Sequence, residues 1–527
     1  MEVSENGTDY HYTHDTEGRV LSKRAWGKTL YENHYDACGR LRELITGEQK
    51  TSYGYDKAGR LEEVCSSNGI RAQYRYDRND MQTEVLYGNG LRTSYTYDER
   101  SQLTGMESVL KDGRILHKAS YSYDNAGNRI TRDEQYTSLQ MRHDTTCYTY
   151  DSMERLTEEK FNDVVTSYGY DLAGNRITKS TDGRTEKYFY NNRNQLTELH
   201  CEKDVVRYSY DPAGNLTEEN YHTADGASTQ KLRYAYDVYN RNVSVTGDDF
   251  TQKNHYDAEG YRDSITEKDK VTNFVYQGGM LLHELDEDKN PARHYVLGNE
   301  YIGLDNNYYL TDEQGSVRYV MDAAGNVQND YQYDAFGQRI AGHENIPNRL
   351  RYNAQIEDNL TGLYYLRARY YNTGIGRFIQ EDVIYNDGLN LYAYCSSNPV
   401  MYADPSGYVK VCKKDGEAAN SDRISFDEAL QQLEKSGLKP GQTVISKSRV
   451  MSIVENYDPI KANSSVYTDA TGRYLVEGHH TTVATVILGK SSGINMNTPT
   501  KQVPSAKNIH WTKKSYEFWK KSIKILE

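Results

Sequence analysis

Near the C-terminus of this 527-residue chain stand Glu477, Gly478, His479 and His480, residue types suited to proton chemistry at a phosphate. Imidazoles titrate near neutral pH and shuttle protons. A carboxylate beside them serves as general base, or holds a divalent ion where one is used. The surrounding run, Gly472-Arg-Tyr-Leu-Val-Glu-Gly-His-His-Thr-Thr-Val-Ala-Thr-Val-Ile-Leu-Gly489, reads as a strand leading straight into a helix. The amides of His479 to Thr482 then lie at a helix N-terminus, where free N–H groups attract an anion. Thr481, Thr482 and Arg473 are the candidate phosphate contacts. The same residues also suit a capping turn with surface histidines. Upstream, Asp404-Pro405-Ser406-Gly407 is turn-forming at every position, and Asp382, Asp387 and Arg377 precede it.

The elements that would position the first group lie in residues 409–527. Ser425-Phe-Asp-Glu428 forms a capping box ahead of a helix over 426–436 that stops at Gly437. A short strand at 443–445 precedes a helix over 447–456, ended by Tyr457-Asp458-Pro459. Strands at 460–467 and 473–477 flank a turn at 468–472, and a helix covers 481–488. Trp511, Phe518, Trp519 and Ile523 share one face of a last helix. The sum is a compact α+β domain.

Charge divides the chain at the same place. After Tyr408 there are 18 Lys+Arg against 12 Asp+Glu, a net +6, whereas the rest carries −19. A basic tail on an acidic body implies an anionic partner, or a tail lying against that body. Six cysteines are scattered without a Cys-x-x-Cys pair, which supports neither a disulfide framework nor a zinc site. No apolar run approaches the ~18 residues of a membrane span. The opening MEVSENGTDY lacks a signal-peptide pattern, so export is expected through secretion machinery or an address on a missing N-terminal region.

Residues 1 to about 360 are repetitive. TSYGYDKAGRLEEV from Thr51, TSYGYDLAGNRITK from Thr166 and VRYSYDPAGNLTEE from Val206 share Tyr-x-Tyr-Asp-x-x-Gly-Arg/Asn. The second tyrosine recurs at 35, 55, 76, 97, 123, 150, 170, 190, 210, 236 and 256. Tyr-x-Tyr puts both rings on one strand face, Asp-x-x-Gly turns the chain, and a second strand follows. One hairpin is marginal in water; stacked hairpins bury a shared face. The chain has 50 Tyr and 8 Phe, as many shallow, half-exposed strands require. These repeats resemble the tyrosine-aspartate repeats of the Rhs and teneurin families. The resemblance implies a mainly β fold, a hairpin strip coiled into a hollow shell, with a small α+β toxin domain at the C-terminus.

From Tyr308 the sequence resembles the Rhs-associated core, ending in NPVMYADPSGY. Tyr408 stands where that family has Leu, and Thr373 and Val383 stand where it has Pro. The resemblance implies an intramolecular aspartyl protease that cuts just after the motif, at Tyr408-Val409. That chemistry takes one ionised carboxylate to activate water and one protonated carboxyl to assist the carbonyl. Asp404 is the leading candidate, Asp382 its partner and Asp387 the reserve, with Arg377 biasing whichever lies near it. Three domains are expected: the repeat shell at 1–307, the core at 308–408 and the variable tail at 409–527. The stretch 443–490 resembles the ParB/sulfiredoxin superfamily, with Thr481 where that family has arginine.

The reading that follows is an Rhs-type antibacterial toxin, delivered into a target cell and restrained at home by a cognate immunity protein. Its tail is expected to be a nuclease acting on nucleic acid, with a divalent metal ion as an open question. The alternatives are a nucleotide-consuming or phosphotransfer toxin, and a surface adhesion or scaffold protein with a C-terminal binding module.

Overall fold

A computed structural model describes residues 2–5, 7–137, 141–383 and 390–412, together with three strands of the tail. The chain divides into two compact units, Met1–Gly416 and Glu417–Glu527.

The first unit is built from one antiparallel sheet of 33 strands, from Glu2–Glu5 to Arg339–Glu344, in which successive strands pair. The sheet runs through Asn307–Thr311 without a break. One repeat shows why. Gln49–Tyr55 pairs with Leu61–Ser66, and the register slips between Gly54 and Tyr55 where the turn begins. Asp56 Oδ1 accepts from the amides of Ala58 at 2.9 Å and Arg60 at 3.0 Å, and its Oδ2 accepts from Arg60 Nε at 2.7 Å. Gly59 sits at φ +89°, which favours glycine. The Arg60 guanidinium lies 4.7 Å from the ring centre of Tyr76, the second tyrosine of the next repeat. Tyr76 in turn donates its hydroxyl back to the Leu61 carbonyl at 2.7 Å.

The same back-bond joins Tyr55 to Leu41, Tyr97 to Gln82, Tyr170 to Leu156 and Tyr256 to Asn242. These second tyrosines thus staple their repeats to the ones before. The hydroxyl is why tyrosine rather than phenylalanine fills the position. The first tyrosine of most pairs supplies buried ring: Tyr74, Tyr121, Tyr148, Tyr168, Tyr188, Tyr208 and Tyr234 are all buried.

The strip then coils onto itself. Arg241 pairs with Glu5 at 3.0 Å and Lys23 with Asp257 at 2.7 Å. Asn89 donates to the Asp322 carbonyl at 3.3 Å, and both oxygens of Glu159 accept from the Ala335 amide. The second turn of strip therefore lies against the first, as a coiled shell requires.

After the sheet ends, short strands Ile356–Glu357, Tyr364–Leu366, Arg369–Asn372 and Arg377–Phe378 form a separate four-stranded sheet. This segment reaches strip residues far apart in sequence. Asn398 bonds Asn128, Asn390 bonds Asn175, Arg377 bonds the Asn194 carbonyl, Gln380 the Asn240 carbonyl and Arg367 the Gly279 carbonyl. Arg262 and Asp358, both fully buried, join it to the strip through two bonds of 2.6 and 2.7 Å. This segment, called the plug below, is thus fastened across the coil.

In the second unit, strand Gly472–Glu477 pairs antiparallel with Ser465–Asp469 and parallel with Leu438–Pro440. The expected hairpin is present; of its first strand, expected at 460–467, the described part is Ser465–Asp469. The strand expected at 443–445 and the four expected helices lie outside the described residues.

Candidate functional site

Strand Arg369–Asn372 carries Arg369 into the interior of the plug. Its Nη2 lies 2.8 Å from Asp382 Oδ2 and 3.5 Å from Asp404 Oδ2. All three residues are at most 5% exposed, so two carboxylates share one cation away from water. The guanidinium also lies 3.6 Å from the Phe378 ring centre and donates to the carbonyls of Leu391 and Gly407. A charge stripped of water is tolerated only when paired and hydrogen-bonded, and this one is both.

The turn after Ala403 is held from two sides. Asp404 Oδ1 accepts from the Gly407 amide at 2.8 Å, the Ser406 amide at 3.1 Å and the Ser406 hydroxyl at 3.2 Å. Opposite, three consecutive residues bind three consecutive carbonyls. Arg367 Nη1 donates to Pro405, the Ala368 amide to Ser406 at 3.2 Å, and Arg369 Nε to Gly407. Gly407 has φ +74°, and a Cβ there would stand 2.4 Å from the Leu366 oxygen, so this position requires glycine. Beyond the turn, Val409 is buried and Val411–Cys412 pairs back onto Tyr402–Ala403.

Of the residues expected at this site, Asp404 and Asp382 are brought together. Arg377 is not with them: its Nη2 donates to the Asn194 carbonyl at 2.6 Å and its guanidinium lies over the rings of Tyr190 and Tyr392. Arg369 holds the place expected of Arg377. The sequence signal for it is Arg367-Ala-Arg369 inside LeuTyrTyrLeu-RAR-TyrTyr, a charge within an aromatic strand that must find a buried partner. Asp387 lies outside the described residues. Tyr408 is partly exposed, and its amide donates to Ser406 Oγ at 3.2 Å. In the tail, Arg473 and Glu477 lie on the strand Gly472–Glu477; His479, His480, Thr481 and Thr482 lie outside the described residues. Among the described residues no three His, Cys, Asp or Glu side chains are grouped to hold a metal ion.

Comparison with known proteins bears on the body of the chain. The family profile Teneurin YD-shell matches residues 3–107, 90–224 and 293–401. The tRNA nuclease WapA of Bacillus subtilis (strain 168) is 35% identical over 205 residues, covering 35% of this chain and 9% of that protein. The double-stranded DNA deaminase toxin A of Burkholderia cenocepacia (strain H111) is 28% identical over 215 residues, covering 35% of this chain and 14% of that protein. The chain thus spans a small part of the length of these relatives. The crystal structure of TcdB2-TccC3-Cdc42 aligns over 76% of this chain and 24% of its own, with TM-score 0.51 and 19% identity, a likeness of fold.

Proposed function

The chain belongs to the teneurin YD-shell family, and on that premise we propose that its strip is a container, its plug an aspartyl protease acting on its own chain, and residues 409–527 the effector it frees. The observation that carries this is Arg369 between Asp382 and Asp404, on the turn directly before the tail. In the proposed reaction one carboxylate takes a proton from water, and the resulting hydroxide attacks the Tyr408 carbonyl. The other, protonated, carboxyl donates to the carbonyl oxygen. Collapse of the tetrahedral intermediate breaks the Tyr408-Val409 bond. It leaves a Tyr408 carboxylate and a Val409 amine that takes up the proton. Arg369 offsets the charge of the ionised partner throughout.

The cut pieces stay associated in this reading. Val409 is buried, Val411–Cys412 remains paired with Tyr402–Ala403, and Lys410 donates to Ser396 Oγ at 2.6 Å. On a denaturing gel the purified chain is expected to run as two bands of about 408 and 119 residues, and Asp404→Asn as one. A single full-length wild-type band would overturn self-cleavage.

For the tail we propose a ParB-like nuclease delivered to a competing cell and neutralised at home by an immunity protein. Support comes from its +6 charge, its Glu477-Gly-His-His sequence, and two relatives whose names specify action on tRNA and on double-stranded DNA. Expression of 409–527 in a bacterium should stop growth and degrade DNA or RNA, and Glu477→Ala or His480→Ala should relieve it. Harmless expression would favour a binding module; growth arrest with intact nucleic acid would favour a nucleotide-consuming toxin.

A further inference from the structure

Arg367 occupies a backbone position that argues against an arginine. Leu366 pairs with Arg369, so Arg367 and Ala368 form a two-residue hairpin loop. Arg367 sits there at φ +63°, in the left-handed region. Such loops favour Gly, Asn or Asp, and a branched-off side chain at positive φ costs on the order of 1 kcal/mol. The side chain explains why the cost is tolerated. Nε donates to the Gly279 carbonyl at 2.7 Å, and Nη1 donates to Gln355 Oε1 at 2.8 Å and to the Pro405 carbonyl. One guanidinium thereby ties the strip, the plug and the turn that precedes the tail. Its bond to Pro405 opens the run in which residues 367, 368 and 369 hold the carbonyls of 405, 406 and 407 in order.

We propose that Arg367 is a positioning residue for self-cleavage. It fixes the register of the 405–408 segment over the Asp382–Asp404 pair, so that one peptide bond and not its neighbours meets the attacking water. The proposal rests on the self-cleavage reading above. A reaction held in one geometry loses about 100-fold for a shift of about 1 Å. Loss of the Pro405 bond allows such a shift while leaving both carboxylates and Arg369 in place.

The test is cell-free synthesis of the full chain, with the rate of fragment appearance followed on denaturing gels and the new ends read by mass spectrometry. Arg367→Gly and Arg367→Asn suit the left-handed backbone and lack the guanidinium. Both should cleave at least 10-fold more slowly, with cuts spread over more than one bond and a pH profile of the residual rate like wild type. Arg367→Lys, which can reach one carbonyl, should recover part of the rate. Protease resistance of the shell reports folding. Wild-type rate with a single cut in both variants would overturn the proposal, as would loss of the protease-resistant shell in both, which would make Arg367 a folding residue. A shifted pH profile would overturn it by placing the effect on the carboxylates. Asp404→Asn runs alongside: wild-type cleavage in that variant would overturn the self-cleavage reading itself, a result distinct from any of these.

Discussion

Arg369 carries one positive charge between two buried carboxylates, so the three groups depend on one another. Arg369→Met removes the guanidinium that Asp382 and Asp404 share. Removing one partner from a buried ion cluster costs roughly 3–5 kcal/mol. The urea midpoint of the shell should therefore fall sharply at pH 7. An unchanged midpoint at pH 7 would mean that the arginine does not hold the pair. The two aspartates are named from the resemblance to the Rhs-associated core, not from their local sequence, which reads as a plain turn at Asp404. Choosing between Arg369 and Arg377 was not legible in the sequence, because strand pairing decides it. Asn372 lies three residues after Arg369, on the opposite face of the strand, and Arg377 pairs directly with Asn372. The two arginines therefore project from opposite faces of one small sheet, and only Arg369 meets the aspartates. For the tail, the strand bearing Arg473 and Glu477 was legible from its alternation beside a turn.

At the scale of the element, the repeat gives its two tyrosines different work. Tyr170 donates to the Leu156 carbonyl at 2.7 Å, whereas the buried Tyr168 hydroxyl has no hydrogen-bond partner among the described residues. Tyr168 packs its ring 5.1 Å from that of Phe336. Removing a satisfied hydroxyl costs about 1 kcal/mol, whereas removing an unsatisfied buried one is neutral or favourable. Tyr170→Phe should lower the unfolding midpoint and Tyr168→Phe should leave it unchanged or raise it. Equal losses in both would refute the division of labour. The hairpins could be read from sequence because their determinants, period-two tyrosines and an Asp-x-x-Gly turn, lie within a dozen residues. The staple between repeats could not, since it needs the register slip that sets each second tyrosine under the preceding strand. Coiling was further out of reach, because it rests on pairs such as Lys23 with Asp257 that carry no local signature.

Across the whole first unit, the seam between successive turns of the strip buries carboxyl groups, and each gives its own part of the seam a pH dependence of definite sign. Glu159 is pushed up to about 7, first by burial and then by Asp334, with Arg132 and Lys179 acting the other way. Asp257 is pushed up to about 6, again by burial first, against Lys23 and beside Glu259. A carboxyl whose folded pKa lies above its unfolded value of about 4.3 (about 3.9 for Asp) binds its proton more tightly in the folded state. Its contribution is fully present below the unfolded pKa and is lost as pH rises through the folded one, by up to about 1.4 kcal/mol per pH unit. For Glu159 that window runs from about 4.5 to about 7. The turn aspartates act in the opposite sense. Asp36, held low chiefly by the hydrogen bond from Arg40, loses its contribution as the solution is acidified below the ordinary carboxyl range. The part of the seam held by Glu159 and Asp257 is therefore tightest in mild acid and loosens as pH rises toward neutrality, whereas His283 and His294, pushed down to about 3 and about 4 chiefly by burial, act in the opposite sense over the acid part of that range. Glu159→Gln keeps an oxygen for the Ala335 amide and cannot ionise, so it isolates the effect. Between pH 5 and 8 the thermal midpoint of wild type should fall relative to that of Glu159→Gln as pH rises, the two curves converging at the acid end. Parallel curves across that range would mean that Glu159 does not change its charge within the folded seam.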